Sequence, residues 1–144
     1  MTTVTLRQQS GYRFTTHFTD AMPDLACDLP PPLGEGAGPS PEHLLAAAVG
    51  NCLSASLVFS LAKFKQDPAP LSTEVTAVEG RNERNRLRIQ RLHVRIRLGK
   101  AAAELEHLDR VMATFEDFCT VTASVREAIA VELEVEDATG ARLK

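Results

Sequence analysis

The longest apolar stretch of the chain, PEHLLAAAVGNCLSASLVFSLAKFK at residues 41–65, is hydrophobic around nearly its whole circumference. It predicts a helix with a clearly marked start. Ser40 suits the N-cap, Pro41 the first helical position, and Glu42 the positive end of the helix dipole. Pro68 limits the far end, so the helix is expected to run to about Lys65. A helix that is apolar on every side needs cover on every side.

The rest of the chain alternates at strand period. TVTLRQ and YRFTTHF predict two early strands joined by a turn at QSG, with Tyr12, Phe14, Thr16 and Phe18 on one face. DLACDL predicts a short third strand. The following PPPLGEGAGPSP packs five prolines and three glycines into 12 residues and predicts a loop. From Thr73 the period is two again: Val75 and Ala77 share a face, and GRNERN makes a turn. Leu92, Val94, Ile96 and Leu98 then alternate with Arg91, His93, Arg95 and Arg97. Leu87 and Ile89 are out of phase with that set by one residue, which predicts a bulge near Gln90.

AAAELEHLDRVMATFEDF, residues 101–118, predicts a second, amphipathic helix with Leu105, Leu108, Val111, Met112 and Phe115 at helical spacing. Further helical turns are expected in VTASVREAI. AVELEVED closes the chain as a strand with Val131, Leu133 and Val135 facing inward. The order of elements predicts one α+β domain over residues 1–144, with a mostly antiparallel sheet of about six strands covering the central helix. One sheet covers only one side of such a helix, and the second helix covers part of the remainder. A second copy of the chain would cover the rest, so a homodimer is expected.

Composition narrows the function classes. The 144 residues are 44% hydrophobic and 24% charged, as in an ordinary globular domain. A net charge of −3 gives no basic footprint for nucleic acid. The arginines between Arg81 and Arg97 alternate with apolar residues, as on the wet face of a strand. The start of the chain, MTTVTLRQQS, lacks the apolar core of a signal peptide, and small polar residues interrupt the 41–65 helix. Neither secretion nor a membrane span is expected, and a cytoplasmic location is. The three cysteines are too few and too widely spaced for a disulfide framework or a CxxC zinc site. His17, His43, His93 and His107 fall on different elements, so no metal site is expected.

Cys52, midway along the buried helix, has two readings. Cysteine is a common small core residue, and a thiol in a reducing compartment can also be kept for chemistry. Cys27, in the early strands, is expected to be packing.

GPSPEHLLAAAVGNC resembles the helix-start signature of the OsmC/Ohr family, the osmotically inducible and organic hydroperoxide resistance proteins. FCTVTASVREAIAVELEVED is similar to that family's second cysteine segment, with Thr120 where many members have proline. The resemblance implies an OsmC-like fold, an intertwined homodimer, and a thiol-dependent peroxidase acting on organic hydroperoxides without metal or organic cofactor. It makes Cys52 the peroxidatic cysteine, Cys119 the resolving cysteine, and Glu42 the acid that holds an active-site arginine. It also implies a dithiol reductant, either a small molecule or a lipoyl-type protein. In the hydroperoxide-resistance branch the arginine sits in an early glycine-rich turn. Arg13 in SGYRF lies nearest to that place, but its surroundings do not match, so the chain is closer to the broader OsmC-like group. The alternatives are an OsmC-like dimer that binds an apolar ligand or partner without catalysis, and a redox sensor.

Overall fold

A computed structural model describes the whole chain, Met1–Lys144. It forms two compact units, Met1–Leu45 and Ala46–Lys144. The helix α1 (Pro41–Ala62) begins in the first and runs on through the second.

The first unit is an antiparallel meander of β1 (Thr5–Ser10), β2 (Arg13–His17) and β3 (Leu25–Cys27). Leu6 pairs with Thr16, and Phe14 lies between Gln8 and Cys27. The proline- and glycine-rich segment after β3 is a loop, as its composition predicts. The buried Asp28 carboxylate organises it by accepting the backbone N–H groups of Leu29, Glu35 and Ala37 at 2.9, 3.0 and 3.2 Å. Those bonds, led by Ala37, outweigh burial and hold the Asp28 carboxyl below its usual range. Gly38 runs against β3 so closely that a Cβ there would lie 2.0 Å from the Ala26 carbonyl oxygen.

The second unit holds the main core. The strands β4 (Ser72–Arg81), β5 (Leu87–Arg97) and β6 (Ala130–Glu136) form one sheet in that order. Val49, Leu53, Leu57 and Leu61 of α1 pack in one cluster with Leu92, Val94 and Ile96 of β5 and Val135 of β6. The bulge falls where the phase slip places it: Val78 pairs with Arg91 and Glu79 with Ile89, which leaves Gln90 as the extra residue. Outside the core, Arg91 pairs with Glu132 at 3.0 Å and Arg97 with Glu136 at 3.0 Å, so these β5 arginines are matched by β6 carboxylates on a solvated face.

Two expectations need correction here, and the mostly antiparallel pairing holds with one exception. The single sheet of about six strands is two three-stranded sheets, one in each unit. Three of the four strand pairings are antiparallel, but β5 and β6 run parallel. Parallel neighbours need a long crossover, and the helical segment between Arg97 and Ala130 supplies it. The second amphipathic helix is broken. A 3-10 turn (Ala102–Glu104), α2 (Leu108–Thr114) and another 3-10 turn (Phe115–Phe118) replace it, followed by α3 (Thr120–Arg126). The break lies at His107, whose φ of 62° is left-handed and cannot continue a helix. The apolar positions survive the break, and Leu105, Val111, Met112 and Phe115 are all buried.

The helix α1 ends at Ala62, three residues short of expectation. Lys65 takes a left-handed φ of 58°, Gln66 N–H donates to the Leu61 carbonyl and Lys65 N–H to that of Ala62. That is a Schellman cap with lysine in the usual glycine position. By length and composition α1 matches a membrane span, yet Val49, Gly50, Leu53, Ser56, Leu57, Ser60 and Leu61 form a buried stripe along one side.

Candidate functional site

The site in the second unit is built around α1. Val49, Leu53 and Leu57 bury one side of the helix, and Gly50 permits a close approach to β4: a Cβ there would lie 2.7 Å from Val75 Cγ2. The Ser54 hydroxyl donates to the Gly50 carbonyl at 2.7 Å and lies 2.6 Å from Thr73 Oγ1, which ties the same turn to β4. Cys52, between these contacts, is half-buried at the edge of the core.

Cys119 reaches Cys52 from the far side of the crossover. It closes the 3-10 turn Phe115–Phe118, where its N–H donates to the Glu116 carbonyl at 3.0 Å, and its own carbonyl accepts the Ala123 N–H of α3 at 2.9 Å. The elbow between these two short pieces aims the side chain into the core, where Cys119 is fully buried. Cys52 and Cys119, 67 positions apart, are joined as a disulfide with Cα atoms 5.7 Å apart. That separation is the ordinary one for this bond. Thr122 Oγ1 lies 2.8 Å from Cys119 Sγ, a contact in which a disulfide sulfur can only accept.

Immediately before the elbow, Phe118 meets Phe59 of α1 edge to face, with ring centroids 5.9 Å apart. Lys63 Nζ stands over both rings, 4.5 Å from the Phe59 centroid and 4.0 Å from that of Phe118. The Cys119 segment is therefore tied to α1 twice, once by sulfur and once by this cation–aromatic clasp.

Of the three residues singled out in the sequence, the structure brings Cys52 and Cys119 together. Glu42 belongs to the first unit, in the first turn of α1. Its carboxyl is held below the usual range, first by the Ser40 hydroxyl and then by its own backbone N–H. The Ser40 carbonyl accepts the Leu44 N–H at 3.1 Å, as an N-cap residue does, while its hydroxyl lies 2.9 Å from His43 Nδ1. In the same unit Arg13 Nη2 pairs with Glu35 at 2.5 Å, and its Nε is buried without a partner. Cys27 is buried and free, 3.3 Å from Thr16 Oγ1.

Sequence reasoning missed Phe59, Phe118 and Thr122. Spacing pointed to two of them. Phe59 lies seven residues, two turns, after Cys52 on the same side of α1, and Thr122 lies one turn after Cys119.

The family model described as OsmC-like protein matches residues 34–134, a span that carries both cysteines and Glu42. The chain belongs to this family. An osmotic stress induced and detoxification response protein assigned in Psychrobacter arcticus superposes with a TM-score of 0.78 at 21% identity, over 94% of this chain and 96% of that one. The organic hydroperoxide resistance protein OsmC of Legionella pneumophila gives 0.72 at 18% identity, over 92% and 96%. The organic hydroperoxide resistance protein OhrB of Bacillus subtilis gives 0.70 at 19% identity, over 94% and 98%. At these identities the likeness is one of fold. A search of curated proteins finds no match.

Proposed function

We propose that the chain, read as one OsmC-like domain over residues 1–144, is a thiol-dependent peroxidase that reduces organic hydroperoxides in oxidative-stress defence. The observation that carries this reading is the Cys52–Cys119 pair, brought from 67 positions apart in the second unit into bonding distance. Membership of the OsmC-like family supports it, as does the fold shared with the organic hydroperoxide resistance proteins of Legionella pneumophila and Bacillus subtilis.

The difference in exposure between the two cysteines supports one order of events. Cys52 is half-buried while Cys119 is fully buried, so Cys52 is the thiol that a peroxide reaches. Its thiolate attacks one oxygen of the O–O bond, which breaks, and the alkoxide takes up a proton and leaves as an alcohol. Cys52 becomes a sulfenic acid. The Cys119 thiol then attacks that sulfur, water leaves, and the disulfide forms. An external dithiol opens it by two exchange steps and carries off the two electrons as its own disulfide. Desolvation at the edge of the core disfavours the thiolate, so a cation must offset it, and Glu42 is the acid that holds that cation in this reading.

The functional unit in this reading is a homodimer. Val58 and Phe59, on the outer side of α1, are exposed, as are Phe118 and Val121. A second copy covering α1 would bury them. Sedimentation at micromolar concentration tests the dimer, and a compact monomer overturns it.

The catalytic reading is tested with cumene hydroperoxide and a dithiol under steady state, together with dimedone trapping. Cys52 should be tagged as a sulfenic acid and the wild-type protein should turn over, while Cys52→Ser should do neither. Tagging without turnover would make the protein a redox sensor, and no tagging would leave a dimer that binds without catalysing.

A further inference from the structure

Cys119 sits on weak local structure. The 3-10 turn before it spans four residues and α3 after it spans seven, lengths at which a helix in water is not self-supporting. Phe115 anchors the first piece in the core. The polar anchor is Glu116, the next residue. Its carboxylate accepts a hydrogen bond from Arg126 of α3, so one side chain bridges the pieces on either side of Cys119. Its other oxygen lies 2.7 Å from Lys144 Nζ. Lys144 also donates to the Met112 carbonyl at 2.7 Å, at the end of α2. Its backbone pairs in turn with Val135 of β6: Val135 N–H donates to the Lys144 carbonyl at 3.2 Å, and Lys144 N–H to the Val135 carbonyl at 3.3 Å.

Glu116 is well protected, with 15% of its side chain exposed. Burial favours its protonated form, but the bonds from Lys144 and Arg126 prevail and hold the carboxyl below its usual range. Charged hydrogen bonds of this kind are the stronger ones, and two of them converge on one carboxylate. The triad thus connects the sheet, α2 and α3 to the elbow that carries Cys119.

We infer that Glu116 is a positioning residue for disulfide closure: clamped by Lys144 and Arg126, it keeps Cys119 beside Cys52 when the two are reduced. This rests on the two cysteines forming a redox pair, as proposed above, and not on which oxidant they meet. With the elbow held, closure is intramolecular and its effective concentration is high. With the elbow loose, Cys119 samples positions away from Cys52, and closure becomes less favourable.

The test is the thiol–disulfide equilibrium of the purified protein in glutathione buffers, without peroxide. Two protein thiols give two electrons and two protons to glutathione disulfide, which leaves as two glutathione thiols, while the Cys52–Cys119 bond forms. The equilibrium constant is the effective concentration of the pair. Glu116→Gln and Lys144→Ala should each lower it by at least about tenfold, or ~1.4 kcal/mol. Lys144→Arg, which keeps a cation there, should hold most of it. Lys144 has 33% of its side chain exposed, so Lys144→Ala decides the matter if Glu116→Gln does not fold. A fall of less than tenfold overturns the inference, even where both redox forms lose stability equally, since that marks a purely structural role. A loss in Lys144→Arg as large as in Lys144→Ala overturns it too. A protein that fails to turn over cumene hydroperoxide but shows the expected shifts would refute the peroxidase reading and leave this one standing.

Discussion

The ring of Phe118 stands edge-on to that of Phe59, 5.9 Å between centroids, one residue before Cys119 and two helical turns after Cys52. Both rings are about half exposed in the single chain. Lys63 stands over both rings, and no contact of this clasp runs through sulfur, so reduction of the disulfide breaks none of them directly. A double-mutant cycle of Phe59→Ala and Phe118→Ala in the reduced protein should therefore show a coupling of ~0.5–1.5 kcal/mol, the usual worth of an aromatic pair beyond its buried area. Urea titrations of the four proteins measure it. Strict additivity would mean the rings touch without holding the segment.

The two cysteines should fail differently. Cys119→Ser leaves Cys52 able to react once, but no second thiol remains to condense with the sulfenic acid. Dimedone should then trap Cys52 in high yield, and excess peroxide should carry it on to sulfinic acid. Mass spectrometry follows both products. Turnover of Cys119→Ser at the wild-type rate would make Cys119 a core residue, and the resolving thiol would have to come from elsewhere.

Glu42→Gln separates two roles for the acid at the start of α1. As a dipole partner in the first turn it contributes ~0.3–1 kcal/mol, and its loss leaves the fold intact. As the holder of an activating cation it contributes to the thiolate, and a one-unit rise in the Cys52 pKa alone is worth about 1.4 kcal/mol. The expected outcome is an oxidation rate lowered more than about tenfold, with a pH profile moved to higher pH. Stopped-flow oxidation across pH reads both, and an unchanged profile reduces Glu42 to a dipole partner.

How much of this was legible depends on the range of the interaction. The helix α1 announces itself through Pro41, Glu42 and a following run of mostly small and aliphatic residues, and β5 through the alternation of Leu92, Val94 and Ile96. Even the bulge at Gln90 could be found, because a phase slip is a local property of the pattern. The parallel pairing of β6 with β5 could not, since alternation states which side is buried and not which way the neighbour runs. His107 gave no sign that it would break the second helix, for nothing in its spacing calls for a left-handed residue. The pairing of Cys52 with Cys119 came from resemblance to a family. The Glu116–Lys144 contact joins positions 28 apart through the returning tail, and periodicity cannot show it.

Gly50 of α1 lies close against β4, and the side chain it lacks is what permits the approach. A Cβ there would sit 2.7 Å from Val75 Cγ2 and 3.5 Å from Thr73 Cγ2. Leucine is a good helix former, so in Gly50→Leu any loss comes from packing and not from propensity. The cost should be ~1–3 kcal/mol, the usual range for an overfilled site. Because Cys52 lies two residues away, the lifted helix should also weaken the disulfide against glutathione. Urea unfolding of the oxidised protein measures the first effect. A variant as stable as wild type would mean that β4 retreats without penalty.

Asp137, just past β6, ties the tail to the start of the crossover. Its buried carboxylate accepts the Thr139 hydroxyl at 2.7 Å, the Ala102 N–H at 2.8 Å, and the N–H groups of Thr139 and Ala141 at 2.8 and 2.9 Å. These bonds, led by the Thr139 hydroxyl and the Ala102 amide, prevail over burial and push its pKa from 3.8 down to about 2. The folded state thus holds the proton more weakly than the unfolded chain. Above about pH 4 the carboxylate is charged in both states and its full contribution is present. As the pH falls through the folded pKa of about 2, the carboxylate gains its proton and that contribution is lost. Asp137→Asn, which keeps the shape but removes the charge and one acceptor, should be less stable than wild type at pH 7. Between about pH 4 and pH 2 the difference should narrow. Urea midpoints taken between pH 7 and pH 2 measure both, and a difference that stays constant across that range would show that the charge of Asp137 contributes nothing to holding the tail.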